Sequence, residues 1–237
     1  EKIEEPDGPP PLPDRLDGGL EFKNLNFGYS SNIQVLNDIS FHINPGESVA
    51  IVGSTGSGKS RLLADIEWVA QKDTPTGRSV LINGHTPESK WRTSSEHKLV
   101  AQLSQNMNFV MDLSVEEFLT LHAESRQTEN PEEKIQQIWN DANALAGEPF
   151  DLDTPITSLS GGQSRALMIA DTAVLSKSPV VLIDEIENAG IDRKKALDIL
   201  VGQDKIVLMA THDPILALMG NRRVVINNGI QYTFNNI

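Results

Sequence analysis

The stretch that most constrains this chain is the apolar run Val49 to Val52, followed at once by Gly53-Ser54-Thr55-Gly56-Ser57-Gly58-Lys59-Ser60. A short apolar run bounded by turn residues reads as a buried parallel strand. Just beyond, Leu62, Leu63, Ile66 and Val69 mark one apolar stripe of a helix. The residues between them fit the spacing G-x-x-x-x-G-K-[ST]. Glycines let successive backbone N–H groups turn inward around an anion, and the start of the helix adds its dipole. Such a unit cradles phosphates: Gly53, Ser54, Thr55, Gly56, Ser57 and Gly58 line the loop, and Lys59 supplies a point charge to the β- and γ-phosphates. Ser60 offers its hydroxyl to Mg²⁺. The bland alternative, a glycine-rich turn beside a surface lysine, has a chance frequency on the order of one in a hundred in a chain of this size.

A second apolar run, Val180 to Ile183, ends in Asp184 and Glu185. Open α/β sheets bind ligands at the carboxyl ends of their strands. Asp184 is therefore placed to hold Mg²⁺ through water, and Glu185 to orient or deprotonate the water that attacks the γ-phosphate. A polar strand end facing solvent is the competing interpretation. A third run, Ile206 to Ala210, precedes Thr211-His212-Asp213-Pro214. There Asp213 suits a helix cap, and Pro214 a first helical position. Leu159-Ser160-Gly161-Gly162-Gln163 stands before the apolar pattern Ala166, Leu167, Ile169, Ala170, Ala173 and Val174. Ser160 with Gln163 fits a capping box, and the same hydroxyl and glycine amides make an anion-binding helix end.

The rest of the chain frames these motifs. Residues 1–19 hold Pro6, Pro9, Pro10, Pro11 and Pro13 among acids and glycines, a composition expected of a linker or tail. The globular part, 20–237, opens with alternating apolar residues from Leu20 to Phe27 and from Val35 to Ile43, a small antiparallel layer. From about 106 to 158 the spacing of Val115, Phe118, Leu119 and His122, then of Ile135, Ile138 and Trp139, is helical, so a helical subdomain is inserted there. Ser114 with Glu117 forms a candidate capping box and Pro131 a candidate first helical residue. The fold expected is an α/β core with a small antiparallel sheet and a helical insert.

Charge and composition exclude several functions. The net charge of −13 repels nucleic-acid phosphates, so no nucleic-acid partner is expected. With no Cys there is no thiol catalysis, thiolate zinc site or disulfide, and a reducing, cytoplasmic setting is the expectation. No run approaches the roughly 18 apolar residues of a membrane span.

In their order, GSTGSGKS, LSGGQ and VVLIDE resemble the ATP-binding cassette (ABC) ATPases over about Leu20 to Gln231. The resemblance implies a P-loop NTPase core, ATP and Mg²⁺ as ligands, and further site residues. Tyr29 matches the aromatic that stacks on adenine, and Val35 and Arg61 fall at neighbouring nucleotide-binding positions. Gln105 matches the glutamine that touches Mg²⁺ and the attacking water, with Gln102 as a rival. His212 matches the histidine at the γ-phosphate, and Asp192 the aspartate that couples two sites across a dimer. Departures from the family pattern include Arg61 after Ser60, Ile186 after Glu185, a position of Asp192 one residue later than usual, and Ala166 and Asp171 where arginine is frequent.

One chain carries one phosphate cradle and one LSGGQ, whereas a complete site in the family takes each from a different subunit. A head-to-tail homodimer or paired cassette is therefore implied, with ATP between Lys59 and Ser60 on one side and the partner's Ser160, Gly161, Gly162 and Gln163 on the other. The resemblance implies the energy-coupling ATPase of a membrane transporter, held to the inner face of the membrane by an embedded subunit. A soluble ATPase that remodels a cytosolic protein is the alternative. A nucleotide-dependent binding module without hydrolysis is disfavoured by the presence of both Glu185 and His212.

Overall fold

The computed structural model describes residues 19–30, 33–53, 57–81, 85–87, 92, 98–103, 109–184, 190–227 and 230–235. Alternating apolar residues at the front form strands β1 (Leu20–Ser30) and β2 (Ile33–Ile43), a two-stranded antiparallel sheet. Leu20 faces Ile43 and Phe22 faces Phe41 across it, and the two phenyl rings stack at 4.1 Å. Leu20, Phe22 and Ile43 join the buried cluster that contains Val49 and Ile51, so this layer packs on the central sheet.

The three apolar runs become strands β3 (Ser48–Gly53), β5 (Val180–Asp184) and β6 (Ile206–Thr211), and β4 (Val100–Leu103), β7 (Arg222–Asn227) and β8 (Ile230–Asn235) complete a six-stranded sheet among the described residues. The order is β4-β5-β6-β3-β7-β8. Neighbours are parallel up to β7, and β8 is antiparallel. Helices on the two faces bury β5 and β6, which explains runs that are apolar at every position rather than at alternate ones. The apolar runs singled out in the sequence did not include β7 and β8. Arg222 and Arg223 open β7, and Gln231, Thr233 and Asn235 dilute β8.

Helix α1 (Lys59–Glu67) follows the loop after β3. Val69, read as part of its stripe, lies past its end in left-handed backbone (φ 47), yet remains buried beside Ile66 in the same cluster. The base of α1 carries a buried ion pair: Asp65 Oδ2 accepts from Arg78 NH1 at 2.6 Å and from Thr76 Oγ1 at 2.9 Å. This pair pins the segment after the helix against it.

Helices α2 (Val115–Ser125) and α3 (Pro131–Leu145) form the helical insert. Ser114 and Glu117 close a complete capping box, and Pro131 stands at the first turn of α3 after Asn130 in left-handed backbone. The Trp139 indole donates to the Phe150 carbonyl at 2.9 Å and fixes the chain that returns from α3. A 3-10 turn (Ile156–Ser158) leads into α4 (Gly161–Leu175). Ala166, Ile169 and Ala173 of α4 pack on the sheet. Leu167, Ala170 and Leu175 pack on Val115, Phe118, Leu119 and Ile138. A helix apolar all round is one buried between two layers, and α4 is the shared wall of sheet and insert. Asp171, buried on this wall, meets His122 Nδ1 of α2 at 3.1 Å. Helices α5 (Arg193–Val201) and α6 (Pro214–Met219) follow β5 and β6. No helix among the described residues is long and apolar enough to cross a membrane.

Candidate nucleotide site

The sheet register brings the motifs to one edge. Val52 of β3 pairs with Thr211 of β6, and Asp184 of β5 pairs with Ala210. Gly53, Asp184 and His212 thus leave three successive parallel strands at their carboxyl ends within two residues of the same level. This is the crevice in which open α/β sheets bind ligands.

Gly58 is the N-cap of α1 with φ 89, a left-handed conformation that glycine adopts without strain. No side chain caps this helix start, and its first turn holds no acidic residue. The positive end of the helix therefore meets no carboxylate of its own. Lys59 Nζ folds back over the loop and donates to the Gly53 carbonyl at 2.6 Å and to Ser57 Oγ at 3.4 Å. Its ammonium is thereby held at the mouth of the loop. Ser57 and Gly58 are buried, whereas Ser60 and Arg61 are exposed. Asp184 is half-buried at the end of β5. Thr211 is buried and His212 exposed.

The start of α4 is built differently. Ser160 Oγ accepts from the Gln163 N–H at 3.2 Å, and Gln163 Oε1 accepts from the Ser160 N–H at 2.8 Å. The Gln163 amide also donates to the Glu148 and Pro149 carbonyls. Gln163 thus shapes the loop, while Ser160 and Gly161 face solvent. A Cβ at Gly161 would meet open space, whereas one at Gly190 would lie 3.7 Å from the Gly162 Cα. The segment before α5 therefore runs against this loop. Ile191 bridges to Ala146, and the Asp192 N–H donates to the Leu145 carbonyl at 3.0 Å.

Asp192 caps α5, with Oδ1 accepting from the Lys195 N–H at 3.1 Å. That bond, with the charge of Lys195, holds its carboxyl below the ordinary value of 3.8. Asp213 caps α6, accepting from the Ile215 N–H at 2.8 Å and from Arg193 NH1 at 2.8 Å. The Ile215 N–H first, and the Arg193 guanidinium after it, hold its carboxyl below 3.8 as well. Arg193 was not singled out from the sequence, since nothing local links it to a residue twenty positions away.

Ser54, Thr55, Gly56, Gln105 and Glu185 lie outside the described residues. Tyr29 falls on β1 and Val35 on β2. Gln102, the rival of Gln105, is on β4. In the amide orientation that satisfies both groups it donates to Glu67 Oε1 at 2.8 Å, a contact with the end of α1 rather than with the loop at its start.

A phosphate loop, an acidic strand end and a histidine-bearing strand end on one sheet edge define a P-loop nucleotide-binding protein. The family profile described as ABC transporter matches residues 36–188, and the chain belongs to that family, the ABC ATPases. It is 54% identical over 187 residues to an uncharacterized ABC transporter ATP-binding protein of Methanocaldococcus jannaschii, a match that covers 79% of this chain and 71% of that protein. It is 34% identical over 224 residues to the ABC transporter ATP-binding protein YxdL of Bacillus subtilis, covering 89% and 84% of the two chains. In fold it is similar to a dimeric ATP-binding cassette in a post-hydrolysis state with ADP and Pi, with a TM-score of 0.64 and 22% identity over 92% of this chain and 99% of that one. The expected α/β core with antiparallel sheet and helical insert is the fold observed, and the expected role as an energy-coupling cassette of transporter type is the role of the family.

Proposed function

We propose that this chain binds and hydrolyses MgATP at a site completed by a second copy, and that the resulting opening and closing of the dimer drives a membrane-embedded transporter subunit. The observation that supports this most directly is Lys59, held over a helix start with neither a side-chain cap nor an acid, beside the strand ends of Asp184 and His212. On arrival of the triphosphate, the ammonium exchanges the Gly53 carbonyl for phosphate oxygens. The loop amides and the α1 dipole take up further charge.

The donors suit magnesium, which prefers oxygen ligands and retains waters. Ser60 offers an exposed hydroxyl, Asp184 a half-buried carboxylate two strands over, and Gln105 a third donor. When bound, the ion neutralises charge on the β- and γ-phosphates. Glu185 activates the attacking water, His212 contacts the γ-phosphate, and Tyr29 with Val35 receives the adenine. The exposed Ser160 and Gly161 and the half-buried Gly162 of one copy close over the γ-phosphate held by the other, and Asp192 lies at the joint between the two sites. Val110, Met111 and Leu121, exposed apolar residues of the insert, are the contacts offered to the embedded subunit. The protein works at the cytoplasmic face of the membrane through that partner.

Glu185→Gln tests the reading. Loss of a general base costs about 10²–10⁴-fold in turnover, and this variant should accumulate an ATP-bound dimer by light scattering. Wild-type turnover by Glu185→Gln overturns the base assignment. A strictly monomeric variant saturated with MgATP overturns the shared site.

A further inference from the structure

The ion pair between Arg193 and Asp213 joins two helix starts that are separate in sequence. Arg193 is the first residue of α5, directly after the cap Asp192. Asp213 is the cap of α6, directly after His212. The two helices follow β5 and β6, which are neighbours in the sheet. The guanidinium NH1 lies 2.8 Å from Asp213 Oδ2, and the side chains are 29% and 20% exposed. Oδ1 of the same carboxylate accepts from the Ile215 N–H, and the Asp213 N–H donates to Oγ1 of the buried Thr211 at 2.9 Å. His212 therefore sits between two restrained residues, and one restraint is carried by the segment that holds Asp192.

We propose that Arg193 is a positioning residue for His212, transmitting the placement of the Asp192 segment to the histidine through Asp213. The inference rests on the reading of His212 as a γ-phosphate contact. A partly exposed ion pair adds little to stability, so its removal should leave the fold intact, whereas small misplacement of a group at the reacting phosphate has a large effect on rate. Because Gly190 packs on Gly162, and Asp192 is tied to the end of α3 by the Leu145 carbonyl, closure of a partner on the Ser160 loop would reach Arg193 before it reaches His212. The pair thereby makes the alignment of His212 depend on dimer closure.

The test is a double-mutant cycle on the full chain at high protein concentration, with MgATP turnover and nucleotide Kd measured separately. Arg193→Ala should lower kcat about tenfold while Kd and Tm stay near wild type. Asp213→Asn, which keeps a capping side chain but loses the charge, should fall equally. The double variant should fall no further than either single one, the mark of a shared contact. Arg193→Lys should recover part of the rate. A kcat for Arg193→Ala within twofold of wild type, additive single effects, or losses that appear only as lower Tm each overturn the proposal. A wild-type chain that binds but never hydrolyses MgATP overturns the ATPase reading and this inference with it, and so is told apart from a hydrolysing wild type with an indifferent Arg193.

Discussion

The start of α1 and the start of α4 are both glycine-rich, yet they solve the same problem in opposite ways. At α4 the orphan amides are answered from within, by Ser160 and Gln163 in a closed box. At α1 the cap is a left-handed glycine with no side chain to offer, so the charge has to come from outside. The starts of α5 and α6 lie further along the same scale, for Asp192 and Asp213 bring a full negative charge to their own helices. By charge alone, a helix start without a carboxylate favours an external anion and one capped by an aspartate disfavours it. A helix start can thus be closed by its own side chain or left open, and the protein uses both solutions: one open start and three closed ones among these four.

The contrast can be broken most severely at the foot of α1. Asp65→Ala leaves the Arg78 guanidinium in an interior where it was paired, and unfolding in denaturant should show a loss of about 3–5 kcal/mol. A loss under 1 kcal/mol would mean that α1 is not anchored by this pair. Next in size, Lys59→Ala removes a positive charge held at the mouth of the α1 loop. Titration with MgATP should show affinity lower by about 1.5–3 kcal/mol, the worth of charge-assisted hydrogen bonds. Unchanged affinity would show that the open helix end suffices.

At the closed end, Ser160→Ala should cost about 0.5–2 kcal/mol of stability, whereas Ser160→Gly should cost only a few tenths. Equal losses would indicate that the hydroxyl does not serve as a cap. The smallest effect is a slope with pH. Asp192 and Asp213 have folded values below 3.8. Their stabilisation is therefore complete above the unfolded value near 3.8 and is lost as the pH falls through the lower folded values. The slope of thermal stability with pH below about pH 4 should lessen in Asp192→Asn, since an amide caps without titrating while Asp213 still titrates. A wild-type slope in that variant would place the titration elsewhere.

Much of this was legible in one dimension because the signals are local. Val49–Val52 with the glycine loop, Ser114 with Glu117, Ser160 with Gln163, and Asp213 with Pro214 each report on backbone within a turn of themselves. The strands β7 and β8 escaped because their identity rests on pairing rather than on an apolar run, and α4 reads as unusually apolar until its two neighbours are seen. The contacts Arg193 to Asp213, Asp65 to Arg78, and His122 to Asp171 have no local signature, for each joins residues brought together by topology.

What the sequence determined alone is the kind of chemistry on offer: which helix starts carry their own caps, which one has a glycine in place of a capping side chain, and which strand ends bear acid or imidazole. These follow from hydrogen-bonding and φ preferences that act over a few residues. Tertiary structure alone decided which of those groups meet, at what level of the sheet and through which intermediaries, because strand order and register depend on burial summed over the whole core rather than on any single segment.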